Sequence, residues 1–259
     1  QMCIRDRTYC VGLFLRQGLV MLSDTRTNAG VDNIATFCKN YAVSVPGERM
    51  LCLLSSGNLA ITQAVWNRLQ EGVFLEGQRQ TLLTVSSMFQ AVQLVGAAVR
   101  AIYATDGPSL SAHRVGFSVS LMLGGQIAGG PMRLYLVYAA GNFVEATPDT
   151  PFLQIGETKY GKPMLDRVLT HETGLVDGIK LTLISMDDTL RSNLTVGLPL
   201  DLLVYAEGSL RIGLQRRINE DDPYFRALRE NWSSRLRDTY ASLPVPDWLP
   251  TGEPPPIPS

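Results

Sequence analysis

Histidine is nearly missing from this chain, with His113 and His171 its two examples in 259 residues. Neither accompanies a G-x-S-x-G elbow, so no serine-histidine triad is expected. A zinc site lacks a ligand set as well, because Cys3, Cys10, Cys38 and Cys52 stand at irregular spacings without a C-x-x-C. Positive charge is not in excess: 23 Lys and Arg against 24 Asp and Glu leave a formal net charge of −1. With a pI near 6.2, there is no basic face for nucleic acid or an anionic membrane. No apolar run reaches the ~18 residues needed to span a bilayer, and no signal-type leader opens the chain. A reducing cytoplasm is therefore the expected location. Internal repeats and flexible linkers are absent too.

What remains is ordinary globular material, 45% hydrophobic and 18% charged, enough for one domain or a domain with an appendage. Residues 1–7 carry no period and read as a leader or non-native extension before the patterned sequence that starts at Thr8. Alternation then predicts a hairpin from strands 9–15 and 19–22 around Arg16-Gln17-Gly18. Further strands are expected at 40–45 and 50–54, the second apolar enough to be buried on both faces. Helical spacing begins behind the N-cap Asn58 with Leu59, Val65, Trp66 and Leu69. It resumes from Val85 to Tyr103, with an end expected at Asp106-Gly107-Pro108. Strands at 116–123 and 133–138, helices at 156–169 and 177–190, and a strand at 202–206 complete an α+β block pattern rather than strict βαβ alternation. Beyond Arg211 the composition changes to a helical stripe of Phe225, Leu228, Trp232, Leu236 and Tyr240, followed by a proline-rich tail. The expected organisation is a main domain over 8–210 and an appendage over 211–259.

Two familiar signatures fail on inspection. Gly156 to Lys162 matches the spacing G-x-x-x-x-G-K, but Pro163 stands where a hydroxyl must hold magnesium. The carboxylate pairs Asp187-Asp188 and Asp221-Asp222 are adjacent in sequence, so they diverge on any regular element and read as solvated faces or helix caps.

A third arrangement is less common. Thr8 opens the first strand, Ser23-Asp24-Thr25-Arg26 closes the second, Lys39 opens the third, and Ser55-Ser56-Gly57-Asn58 joins a buried strand to a helix. This order resembles the proteasome β-subunit lineage. T-Y-C-V-G, S-D-T-R-T-N-A-G-V-D and G-N-L-A-I-T-Q-A-V resemble, more closely, the bacterial proteasome-related family called Anbu. The likeness continues through Gly124-Gly125, G-P-x-x-L-Y at Gly130 to Tyr135 and T-V-G at Thr195 to Gly197, covering Thr8 to about residue 210.

The resemblance implies a four-layer αββα sandwich of the N-terminal-nucleophile hydrolase type with a C-terminal helical extension. It also implies a threonine-type peptidase or amidohydrolase within a homo-oligomer, ring or helical, that needs no cofactor. An N-terminal threonine supplies a hydroxyl nucleophile and, in its α-amine of reference pKa about 7.7–8.0, a base near neutrality. In that scheme Lys39 favours the deprotonated nucleophile, Asp24 orients Lys39, and the Gly57 N–H stabilises the oxyanion. Thr27, Cys38 and Leu59 are the expected pocket positions. Lys39 falls one residue early against the β-subunit pattern and needs a bulge to reach Thr8. The accessory positions also depart from that pattern: Glu157 stands in place of a serine in a G-S-G turn, with Ser192 and Thr195 in place of an aspartate and serine. These departures motivate a rival expectation, a catalytically weak or inactive scaffold or chamber. Because Arg7 is not the glycine of self-cleaving β subunits, the natural chain is expected to begin Met-Thr, with Thr8 exposed by methionine removal. The family resemblance adds ATP-grasp and transglutaminase-like proteins as partners and a peptide or isopeptide-like amide as substrate.

Overall fold

The structure, a computed structural model, describes residues 8–28 and 34–248. The leader 1–7, with Cys3, and the tail from 249 onward lie outside these residues. The chain opens with β1 (Tyr9–Leu15), β2 (Gly18–Asp24), a small ribbon of β3 (Arg26–Asn28) and β4 (Ile34–Thr36), then β5 (Asn40–Val45) and β6 (Arg49–Gly57). Next come α1 (Leu59–Glu71), a hairpin of β7 (Val73–Leu75) and β8 (Gln78–Gln80), and the long α2 (Met88–Ala112). The second half runs β9 (Val119–Ile127), β10 (Arg133–Val137), β11 (Phe143–Glu145), β12 (Phe152–Gly156), α3 (Lys162–Val168), α4 (Leu175–Ser192), β13 (Leu200–Ala206), β14 (Leu214–Ile218) and α5 (Pro223–Ala241).

Two antiparallel sheets of five strands face each other, in the orders β12-β1-β2-β13-β14 and β11-β10-β9-β6-β5. Helices α3 and α4 cover the first sheet and α1 and α2 the second, giving the four-layer αββα sandwich. Strand β6 explains why the layers adhere. Its alternation sends Leu51 and Leu53 into the core beneath α1 and α2, and Met50, Cys52 and Leu54 into the core between the sheets. Each such leucine contributes about 1.5–3 kcal/mol by leaving water. Gly12 on β1 permits the close approach of the two sheets, since a Cβ there would lie 2.4 Å from the Met122 sulfur.

Several boundaries differ from the sequence reading. Helix α2 does not stop at Asp106-Gly107-Pro108 but carries Pro108 inside it to Ala112. Leu110 still packs on the core, and Tyr103 meets Phe117 edge-on at 5.0 Å, so tertiary contacts override the proline's missing donor. Residues 156–161 are not helical; Gly156 turns out of β12 with φ +84°, and α3 begins only at Lys162. Strand β14 pairs with β13 from Leu200↔Ile218 to Val204↔Leu214, extending the first sheet past the composition change at Arg211. Its charged, edge-strand sequence hides this from periodicity. The chain forms two compact units, the first ending at Asp222 and the second starting at Pro223. Within the second, Phe225 is buried and Leu236 and Tyr240 are exposed.

Two polar expectations also change. Asp187 and Asp222 are buried rather than solvated, paired with Arg191 at 2.8 Å and Arg216 at 2.6 Å. No helix among the described residues is long and apolar enough to cross a membrane.

Candidate active site

Thr8 sits at the head of β1, held by its neighbours' backbone. Its carbonyl accepts the Glu157 N–H at 2.7 Å, where β1 and β12 pair through Tyr9↔Gly156. A Cβ on Gly156 would lie 1.8 Å from that same carbonyl oxygen, so glycine is required there both for φ and for space. Tyr9 points the other way, into a buried network: its phenol is 2.6 Å from Ser185 Oγ and accepts from Gln154 Nε2 at 2.6 Å. Burial pushes that phenol up to about 12, so it stays protonated and anchors the start of the strand.

Against Thr8 lies a lysine. Lys39 Nζ donates to Thr8 Oγ1 at 2.6 Å, to Asp24 Oδ1 at 3.1 Å and to the Arg26 carbonyl at 2.5 Å. Lys39 reaches this position from the irregular segment before β5, its own carbonyl taken by the Ser55 N–H at 3.0 Å. Lys39 lies outside any strand register there, and its side chain reaches Thr8. At β5's first residue, Asn40 donates to the Asp201 carbonyl at 3.3 Å and accepts from the Cys52 thiol, which pins the turn.

Asp24, fully buried at the end of β2, has its carboxyl pushed up to about 6. Burial is the largest cause, opposed by the Lys39 charge and its hydrogen bond and by the backbone N–H groups of Tyr9 and Gly197. Those amides donate at 3.2 Å and 3.3 Å. The carboxylate held in this way accepts from Lys39 and fixes its Nζ beside the threonine hydroxyl.

Gly57 completes the floor. It ends β6 with φ +110°, and a Cβ there would come within 2.4 Å of the Ser118 carbonyl. Asn58 caps α1 by accepting from Ala60 N at 3.0 Å, so the Gly57 backbone stands at the positive end of that helix. A small, solvent-open cleft lies over Thr8, Lys39 and Gly57, and Thr27 and Leu59 contribute to its walls. Cys38, expected there, is not part of this lining; its thiol donates to the Asn40 carbonyl at 3.1 Å.

The accessory residues divide. Glu157 and Thr195 are linked through a residue that the sequence reading passed over, Asn193. Its Nδ2 donates to Glu157 Oε2 at 3.0 Å, while its Oδ1 accepts from Thr195 N at 3.0 Å and Thr195 Oγ1 at 2.6 Å. Ser192, by contrast, is exposed on the last turn of α4 and stands outside this chain of hydrogen bonds. The buried polar Asn193 one position later was the available signal, since an amide is isosteric with a carboxylate. Both histidines are occupied elsewhere, His113 with the Ser109 carbonyl and His171 with that of Phe14. Among the described residues no group of His, Cys, Asp or Glu is placed to hold a metal ion.

Two facing antiparallel sheets sheathed by helix pairs, with a threonine at the head of the first strand, define the proteasome-like N-terminal-nucleophile fold. Solved structures bear this out. The chain is 50% identical to the Anbu complex of Pseudomonas aeruginosa, solved as a helical assembly, over 93% of this chain and 98% of that one, with a TM-score of 0.86. Against Anbu, the ancestral β-subunit, from Yersinia bercovieri the figures are 47%, 94% and 100%, with a TM-score of 0.85. Anbu from a Hyphomicrobium species gives 45%, 92% and 99%, with a TM-score of 0.82. The chain belongs to the Anbu family. No family model and no curated relative matches it.

Proposed function

We propose that this chain is a threonine-type amidohydrolase that cleaves peptide or isopeptide-like amides through an acyl-enzyme on Thr8, within a homo-oligomer. The observation that carries this reading is the 2.6 Å contact from the Lys39 ammonium to Thr8 Oγ1, with Asp24 buried behind it.

In this mechanism Thr8 Oγ1 attacks the substrate carbonyl carbon while its proton passes to the threonine's own α-amine. Lys39 lowers the cost of the developing alkoxide by its charge, and the Gly57 N–H receives the oxyanion of the tetrahedral intermediate. Collapse breaks the C–N bond, and the α-ammonium protonates the departing amine. The resulting ester is then hydrolysed by water, for which the same amine is the base. While Arg7 remains attached, the Thr8 nitrogen is an amide without basicity, so the reaction requires Thr8 to be the first residue. Glu157, Asn193 and Thr195 hold the accessory hydrogen bonds beside the nucleophile. Thr27 and Leu59 line the substrate side of the cleft. The helical assembly of the Pseudomonas aeruginosa relative supports an oligomer of this chain.

The test is chemical. Protein with Thr8 verified as its first residue is incubated with an epoxyketone or β-lactone probe and weighed intact. A single adduct is expected in the parent protein and none in Thr8→Ala; an unlabelled parent protein would defeat the proposal. A scaffold without turnover is the second reading, favoured by a neutral amide, Asn193, rather than a carboxylate at the centre of the accessory hydrogen bonds. It predicts equal background turnover in parent and Thr8→Ala protein, with large particles intact in both.

A further inference from the structure

Arg26 makes two contacts of different kinds on opposite sides of the site. Its backbone carbonyl accepts from Lys39 Nζ, and that backbone is held in the β3–β4 ribbon by pairing with Thr36. Its side chain turns toward the loop that joins α4 to β13. There Nη1 donates to the Leu194 carbonyl at 3.1 Å, and the guanidinium lies directly against Gly197. A Cβ on Gly197 would fall 2.1 Å from Arg26 Nε and 2.3 Å from Cζ. The same loop supplies the Gly197 N–H to Asp24 Oδ2, and it carries Asn193, the donor to Glu157.

We infer that Arg26 is a positioning residue that clamps the 193–197 loop onto Asp24, so that the carboxylate and the lysine are set by one residue from two sides. Arginine suits the task because its planar fork donates to a carbonyl while its face covers a glycine; an ammonium is a point charge that can do the first but not the second. Gly197 is the reciprocal half of the clamp, being the residue that leaves room for the guanidinium. The inference rests on the proposed hydrolase reading for its catalytic consequence, though not for the clamp itself.

The clamp is tested without reference to activity by hydrogen exchange of the peptide covering 193–199. Arg26→Ala is expected to speed exchange there by about tenfold or more, with β9 peptides unchanged. Gly197→Ala should do the same by expelling the guanidinium, whereas adding Gly197→Ala to Arg26→Ala should have little further effect, because the methyl then has space. Arg26→Lys, the variant most certain to fold, should give partial release. Wild-type exchange in Arg26→Lys and Gly197→Ala, or additive effects in the double variant, would overturn the clamp.

The catalytic consequence is read from probe labelling against pH. Loss of the Gly197 N–H bond removes one of the groups favouring ionised Asp24, so the acid limb of the labelling rate should move to higher pH. The maximal labelling rate should fall about tenfold while the probe's half-saturation stays within about twofold. An unmoved acid limb in a variant whose loop exchanges fast would refute the link to Asp24. Absence of labelling in the parent protein would instead count against the hydrolase proposal, leaving the exchange result to decide the clamp.

Discussion

Asp24 has to be an anion at zero exposure, and its environment only partly compensates. Its carboxyl in the folded chain is raised from 3.8 to about 6, so between those values the native state holds a proton that the unfolded chain has released. Raising the pH through this window therefore removes stability rather than adding it. In urea unfolding followed from pH 4 to 7, the parent protein should lose stability relative to Asp24→Asn as the pH rises. A constant difference across the window would contradict the assigned carboxyl. The proposed reaction should run in the opposite sense, because it uses the carboxylate that holds Lys39. Labelling of Thr8 should rise through about pH 6, and Asp24→Asn should slow it about 100-fold or more at neutral pH. Asp24, Lys39 and Thr8 could be picked out of the sequence only together, because their order resembles that of the Anbu family; singly, each is an ordinary residue at or beside a strand end. Asn193 and Arg26 could not, because an Asn after a helix and an Arg after a turn are commonplace until the loop is seen to return to Asp24.

The pairing of β1 with β12 does more than close a sheet edge. Through Tyr9↔Gly156 and the Glu157 N–H on the Thr8 carbonyl, it sets the distance between Thr8 and the Glu157–Asn193–Thr195 chain. Gly156→Ala puts a methyl where the Thr8 carbonyl stands and asks alanine to adopt φ +84°. A stability loss of about 1–3 kcal/mol is expected in urea unfolding, together with slower probe labelling of Thr8. An unchanged urea midpoint would mean that the strand end yields without cost. The sequence pattern reads 156–169 as one helix, and nothing in that pattern registers the turn that Gly156 makes. Helix α2 shows the converse error, a proline read as a stop in a helix whose far turn is retained by packing.

The molecule as a whole has two compact units, and the second exposes apolar side chains, Leu236 at 48% and Tyr240 at 79%. Homo-oligomers must bury matching surfaces, so removal of residues 223–259 is expected to shift particles to smaller mass in mass photometry. Unchanged particle mass would assign the assembly surface to the first unit alone. Layering was readable from the chain because strands and helices differ in apolar period, and a run such as 50–54 with no polar face has to lie between two layers. The order of Thr8, Asp24, Lys39 and Gly57 was readable because it resembles the motif order of the Anbu family. Which of their neighbours meet them was not readable. Residues 157, 193, 195 and 197 lie far along the chain from Thr8 and Asp24, and their hydrogen bonds exist only after β12 and β13 pair into the first sheet beside β1 and β2 and the loop after α4 folds back. Sequence periodicity carries local geometry; contacts across such separations are set by the strand order of the sheet.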